Sequence, residues 1–227
     1  MLAALGSLKG AKVVEMAPGT GTTTEAIMAQ EPHSYIGVER DSSATAHLGR
    51  VLGVRGSMRA GDAAATGLDA GAADVVVGEA LLTMQSDSSK DAILTEVARL
   101  LRVGGSYAMH ELALTPDELG DDVKQEIRRS LARPLKVNAR PLTPREWTEL
   151  LARHGLTVQH VETAPMALLE PRRVLSDEGF LGAARLAFNI LTDSAARHRV
   201  LEMRGVFRTH SDSLTAIALI ARRQERT

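Results

Sequence analysis

The chain has 227 residues, a formal net charge of −1 and no cysteine, and only 3% of its residues are aromatic. That length suits one α/β domain with a sizeable core, or two small domains. The balanced charge and scarce aromatics give no case for nucleic acid or an anionic membrane surface, and the lack of thiols excludes disulfides, thiolate metal sites and cysteine nucleophiles.

No apolar run is long enough to span a bilayer. The first ten residues lack a basic region and reach Gly6 too early for a signal peptide. A cytoplasmic location is expected, since a chain without disulfides is compatible with it.

Residues 1–8 read as a short helix that Gly10 ends. Residues 12–16 form a first buried strand, followed by a sharp turn on Pro18, Gly19 and Gly21 and a helix entered through Thr22, Thr23 and Thr24. Glycine allows close backbone approach to a ligand and φ angles that other residues avoid, and the helix start behind it presents free N–H groups. Ala26, Ile27 and Met28 are expected against the sheet, and Pro32 breaks the helix.

Residues 34–41 form the second strand, with an acid at its tip. Glu39 lies 18 residues after Gly21, and an acid about 20 residues beyond a glycine turn is placed to accept hydrogen bonds from ribose hydroxyls. The helix after Asp41 is weak, with Gly49 and Gly53 near its end, and residues 55–59 form a third strand. In Gly61-Asp62-Ala63, Asp62 is either a loop cap or a ligand group.

Residues 72–78, apolar but for Asp74, are suited to a central parallel strand. Glu79 follows at its carboxyl end, where open α/β sheets bind ligands; it faces cofactor or substrate, or caps a helix. Residues 88–102 form an amphipathic helix with Ile93, Leu94, Val97, Leu100 and Leu101 on one face. Residues 106–112 are the fifth strand, ending in His110, Glu111 and Leu112. A helix over 121–132 follows, then one opened by a capping box at Thr143, Pro144 and Glu146, with Trp147, Leu150 and Leu151 inward. Residues 156–161 and 214–221 are the last strands. Two helices are expected between them, one carrying Phe180, Leu181, Ala184, Ala187, Phe188 and Leu191, the other Val200, Leu201, Val206 and Phe207.

The stretch Glu15-Met16-Ala17-Pro18-Gly19-Thr20-Gly21 resembles the first motif of class I S-adenosylmethionine (SAM) dependent methyltransferases, acidic-x-Gly-x-Gly-x-Gly. Ala17 stands where the family has glycine; its methyl tightens the cradle without blocking it. Leu101-Arg102-Val103-Gly104-Gly105 resembles the family's Leu-basic-Pro-Gly-Gly turn. The resemblance covers about residues 11–112, and within the family the chain looks most like the small-molecule group that includes the ubiquinone and menaquinone biosynthesis methyltransferases.

That resemblance implies a single α/β domain over residues 1–227. Its sheet is Rossmann-like, seven-stranded and mostly parallel, with the last strand antiparallel and helices on both faces. Helical insertions at about 115–142 and 165–210 supply the acceptor site and its lid; Arg172 and Arg173 in the second are a solvated pair or partners for an acidic acceptor. The implied cofactor is SAM, held by Glu15, Ala17, Pro18, Gly19, Thr20 and Gly21, by Glu39 on the ribose with Arg40 beside the adenosine, by Asp62 and Ala63 on the adenine, and by Glu79. The implied partner is a small-molecule methyl acceptor, with no membrane insertion; an oligomer is compatible with the sequence.

SAM's sulfonium is already a strong electrophile, so the protein has to align the acceptor and exclude water. No metal is expected, because the seven histidines show no zinc-like spacing. His110 is the candidate general base and Glu111 its candidate partner, although consecutive strand residues face opposite sides; a hydrogen-bonded wall residue is the alternative for His110. Two other functions share parts of this pattern. A nicotinamide-dependent oxidoreductase would also use the glycine turn and the ribose acid, but the third glycine and a Tyr-x-x-x-Lys pair are missing. A non-catalytic SAM-binding module would use the insertions as a partner surface.

Overall fold

The structure, a computed structural model, describes residues 1–135, 138–165 and 194–225. Seven strands form one sheet: β1 (Lys12–Met16), β2 (Ser34–Glu39), β3 (Ser57–Ala60), β4 (Ala73–Glu79), β5 (Leu101–Leu114), β6 (Leu156–Pro165) and β7 (Leu214–Arg223). Their order is β3-β2-β1-β4-β5-β7-β6. The first five strands pair in parallel, and β7 runs antiparallel to both β5 and β6. This is the expected Rossmann-like topology.

The helices among the described residues are α1 (Leu2–Leu5), α2 (Thr22–Met28), α3 (Ser42–Leu52), α4 (Asp87–Leu100), α5 (Asp121–Leu135), α6 (Pro144–Arg153) and α7 (Ser194–Thr209). Strand alternation divides the core between the two faces of the sheet. Val14, Met16, Val76, Tyr107 and Met109 face α4 and α6 and pack with Leu94, Val97 and Trp147. Val13, Tyr35, Val75, Val77 and Ala108 face the other way and pack with Ile27 and with α1. The expected capping box opens α6, with Thr143 Oγ1 accepting from Glu146 N and Glu146 Oε2 from Thr143 N.

Several local expectations shift. On α2 the buried residues are Thr24 and Ile27, Met28 is half-buried and Ala26 is exposed; a helix starting at Thr22 turns position 26 outward. The weak α3 forms a full 11-residue helix because the Asp41 carboxylate accepts from Ser43 N and Ala44 N at its start. A 3₁₀ turn over Gly53–Arg55 then takes up Arg55, expected as the first residue of β3, and the strand begins at Ser57. The glycine turn at 103–105 lies inside β5 as an irregularity: Ala73 pairs with Leu101 and Val75 with Ser106.

The two insertions meet at the carboxyl edge of the sheet. Ile127 and Leu131 of α5 are buried with Leu114 at the end of β5 and Leu214 at the start of β7, and Val206 and Phe207 of α7 pack against them. Met84, in the 3₁₀ turn Leu82–Met84 after β4, joins the same cluster. The helix expected over Phe180 to Leu191, and Arg172 and Arg173, lie outside the described residues.

Candidate functional site

The carboxyl ends of β2, β1, β4 and β5 lie side by side, and each delivers a polar or glycine-rich element to one edge. After β1 the chain turns through three left-handed residues: Ala17 at φ +54, Gly19 at +56 and Gly21 at +91. Ala17 N donates to Val38 O at 2.8 Å, and Gly21 N to Pro18 O at 2.9 Å. The position where the family has glycine therefore demands a left-handed residue, and here alanine carries that strain. Pro18 is half-buried; Gly19 and Thr20 are exposed. A Cβ on Gly19 would meet nothing nearer than Ala17 O at 3.9 Å, so space is open above the turn. A Cβ on Gly21 would lie 2.3 Å from Leu48 Cδ2 of α3.

Glu39, at the tip of β2, reaches this turn. Its Oε2 accepts from Gly19 N at 3.2 Å, and its Oε1 accepts from Arg40 N at 2.7 Å and Asp41 N at 3.0 Å. A carboxylate offers about four lone-pair sites, so the one on Oε2 not used by Gly19 remains for a hydroxyl donor. An open glycine turn with a fixed acceptor-only group beside it fits the ribose end of a nucleoside cofactor. Arg40 Nη2 donates to Asp62 Oδ2 at 3.0 Å, joining the β2 and β3 ends, while Asp62 Oδ1 caps Ala64 N at 2.8 Å. Ala63 is half-buried beside them. The loop-cap role of Asp62 and its place beside Arg40 are both present.

Glu79 and His110 meet because β4 and β5 pair them directly in register. His110 Nδ1 lies 3.0 Å from Glu79 Oε1, and Thr23 Oγ1 donates to Glu79 Oε2. The hydrogen bond from His110 comes first among the influences that hold the Glu79 carboxyl below its usual range; Thr23 adds to it and partial burial opposes it. Glu79 is thus an acceptor, and the Nδ1 proton is fixed toward it. In the neutral imidazole Nε2 is then the acceptor nitrogen. Both side chains are 42% exposed, so a ligand can reach the pair.

Two expected site residues lie elsewhere. Glu111 does not pair with His110. Its side chain projects to the opposite face with Tyr107 and Met109, is buried, and accepts from Leu81 N at 2.9 Å, Leu82 N at 2.7 Å and Thr83 N at 3.0 Å. Burial pushes its pKa up, and these donors oppose the rise. Glu111 therefore fixes the turn after β4 rather than meeting a ligand. Glu111→Gln would set an amide NH₂ against one of these backbone donors, so it should lower stability by about 1–3 kcal/mol, measured as a shift in urea midpoint. An unchanged midpoint would contradict this anchoring role.

Glu15 is 2% exposed and accepts from Thr24 Oγ1 at 2.8 Å and Tyr35 OH at 2.6 Å. Burial raises its pKa first of all, with the two hydroxyls opposing. It ties β1, β2 and α2 together beneath the glycine turn instead of standing open to a cofactor. Thr23 is the addition that sequence reasoning missed; its signal was its place in a threonine run on the first turn of the helix.

Residues 13–105 match the family described as methyltransferase domain. An uncharacterised protein of Haemophilus influenzae is 26% identical over 215 residues, covering 92% of this chain and 82% of its own. Among solved structures, the chain is similar to geranyl diphosphate C-methyltransferase from Streptomyces coelicolor, crystallised with Mg²⁺, geranyl diphosphate and S-adenosylhomocysteine (SAH). The TM-score is 0.70 at 15% identity, covering 98% of this chain and 76% of that one. It is also similar to the [4+2]-cyclase SpnF, with TM-score 0.73 at 15% identity over 99% of this chain and 80% of that one. The motif and the family match coincide within residues 13–105, described as a methyltransferase domain, and the solved structures share the fold of the whole chain.

Proposed function

We propose that the protein moves the methyl group of SAM to a small-molecule acceptor seated over the carboxyl ends of β4 and β5. The observation that carries this reading is the contact between Glu39 and Gly19, which sets a ribose-binding carboxylate against an open glycine turn. When bound, SAM supplies a methyl group already activated on a sulfonium. The chain's own residues then bind, align and exclude water. Gly19 leaves room for the cofactor, Glu39 and Asp62 offer hydrogen-bond acceptors, and α5 and α7 wall the edge where the acceptor would enter. His110, held by Glu79, is placed to take a proton on Nε2 from an acceptor that must lose one. The whole chain acts as one domain with its two insertions around the acceptor, and the narrower likeness to the quinone-biosynthesis methyltransferases belongs to this proposal.

The SpnF likeness shows that this fold also serves a cyclase, so binding and turnover both need testing. Glu39→Ala should weaken SAH binding by about 1.5–3 kcal/mol, the worth of hydrogen bonds to a charged group. Calorimetry on folded protein measures it. An Ala variant that binds SAH as tightly as the wild type would remove Glu39 from the cofactor site. Transfer of labelled methyl from SAM into a metabolite extract tests the reaction itself.

A further inference from the structure

Among the described residues, five cations crowd the wall built by α4, α5 and residues 138–142: Lys90, Lys124, Arg128, Arg129 and Arg140. Three have carboxylate partners: Lys124 with Glu146 at 2.7 Å, Arg140 with Asp87 at 3.0 Å and Lys90 with Asp87 at 3.5 Å. Arg128 and Arg129 have none among the described residues. Arg129 donates to Gln125 Oε1 at 3.4 Å. Arg128 donates from Nη2 to Pro141 O at 3.2 Å, and its Nε is buried without an acceptor.

These two arginines, Gln125, Asn138 and Arg140 line a cavity of about 430 Å³ with no carboxylate among the described residues of its wall. That volume is in the range of small-molecule sites, ~300–1,000 Å³. Behind it, Lys90 is buried, donates to Arg140 O at 2.8 Å and lies 5.5 Å from the centre of the Trp147 ring. Burial pushes the Lys90 pKa down, and repulsion from Arg128 and Arg140 pushes the same way. Arg140 N donates to Thr83 O at 2.7 Å, which ties the cavity wall to the turn that follows Glu79. Arg140 is paired with Asp87, but Arg128 and Arg129 have no carboxylate partner among the described residues, and guanidinium groups match the geometry of oxyanions.

We propose that this cavity is an oxyanion site that takes a carboxylate or phosphate carried by the methyl acceptor, so that the substrate class is an acidic small molecule. The proposal rests on the methyl-transfer reading for its account of who brings the anion, and on the arginine cavity alone for the binding of one.

The test has two arms. In the first, full-length protein is titrated calorimetrically with inorganic phosphate and with malonate. One of the two should bind saturably, and the tighter names the acid group. Arg128→Met should weaken that binding by about tenfold or more, as expected for the loss of a charge-assisted hydrogen bond, while SAH affinity stays the same. Exposed Arg129→Gln should weaken it in the same direction, and it carries the test if Arg128→Met does not fold. In the second arm, methyl-labelled product made from SAM and a metabolite extract is passed over an anion exchanger, where it should be retained. Absence of anion binding by the wild type, or binding unchanged in both variants, overturns the site. A neutral or cationic labelled product overturns its assignment to the acceptor. Variant-sensitive anion binding with no labelled product from any extract would sink the methyl-transfer reading and uphold the anion site.

Discussion

Gly21→Ala should remove about 2–5 kcal/mol of folding stability and abolish tight cofactor binding. Two separate effects add. A left-handed backbone at φ +91 disfavours any Cβ, by about 1–2 kcal/mol. The new methyl would also stand 2.3 Å from Leu48 Cδ2, and Leu48 is 2% exposed. Leu48 or α3 must move, and overpacking of this kind costs about 1–3 kcal/mol. Gly19→Ala separates the two effects, because Gly19 has a similar left-handed φ of +56 but open space where its Cβ would go. It should lose only the backbone share, about 1–2 kcal/mol. Urea unfolding of the two variants gives the stabilities, and SAH titration of the folded fraction gives the binding. Equal stability losses in both would show that the approach to Leu48 does not govern this turn.

His110→Ala should cut methyl transfer by about 10²–10⁴ while SAH affinity barely moves, if the acceptor must surrender a proton. The ground is geometric. Glu79 Oε1 holds Nδ1 at 3.0 Å, and Thr23 holds the other Glu79 oxygen. In the neutral ring this contact selects the Nδ1–H tautomer and leaves Nε2 available, and a general base needs just such a fixed orientation. Glu79→Gln should slow turnover by less, since an amide oxygen can still accept from Nδ1 but no longer stabilises the imidazolium. Near-normal turnover in His110→Ala would make His110 a wall residue, and loss of SAH binding would make it a structural one. Single-turnover rates with saturating SAM distinguish these outcomes from a defect in product release.

The positions of the strands along the chain were legible because most apolar runs have a length and flank that admit few alternatives. Residues 72–78 could hardly be anything but a central strand, and Thr143, Pro144 and Glu146 mark a helix start by chemistry that is local. The glycine turn and Glu39 were legible for the same reason: one needs unusual backbone angles, and the other is placed by spacing along the chain. What depends on partners distant in sequence was not legible. Glu15 reads as a motif acid, yet Tyr35 and Thr24 take its oxygens within the core. Glu111 reads as a neighbour of His110, yet the strand's alternation sends it to the backbone donors of residues 81–83. The Glu79–His110 pair comes from the register of two strands, which no single stretch of sequence specifies. Thr23 joined them only once α2 was set against β4. Arg128 and Arg129 belong to no motif, and the cavity they line forms only where residues 138–140 lie beside α5.

Cofactor binding by the intact wild-type chain decides most directly whether the glycine turn and Glu39 form the site. Calorimetric titration of the folded protein with SAH, followed by competition with SAM, should give saturable binding of both at one site. The same ligands should raise the unfolding temperature, because a ligand that binds only the folded state stabilises it. A folded protein that gives no heat and no stabilisation with either ligand would contradict the assignment of the glycine turn, Glu39 and the β4 and β5 ends to a methyl-transfer site.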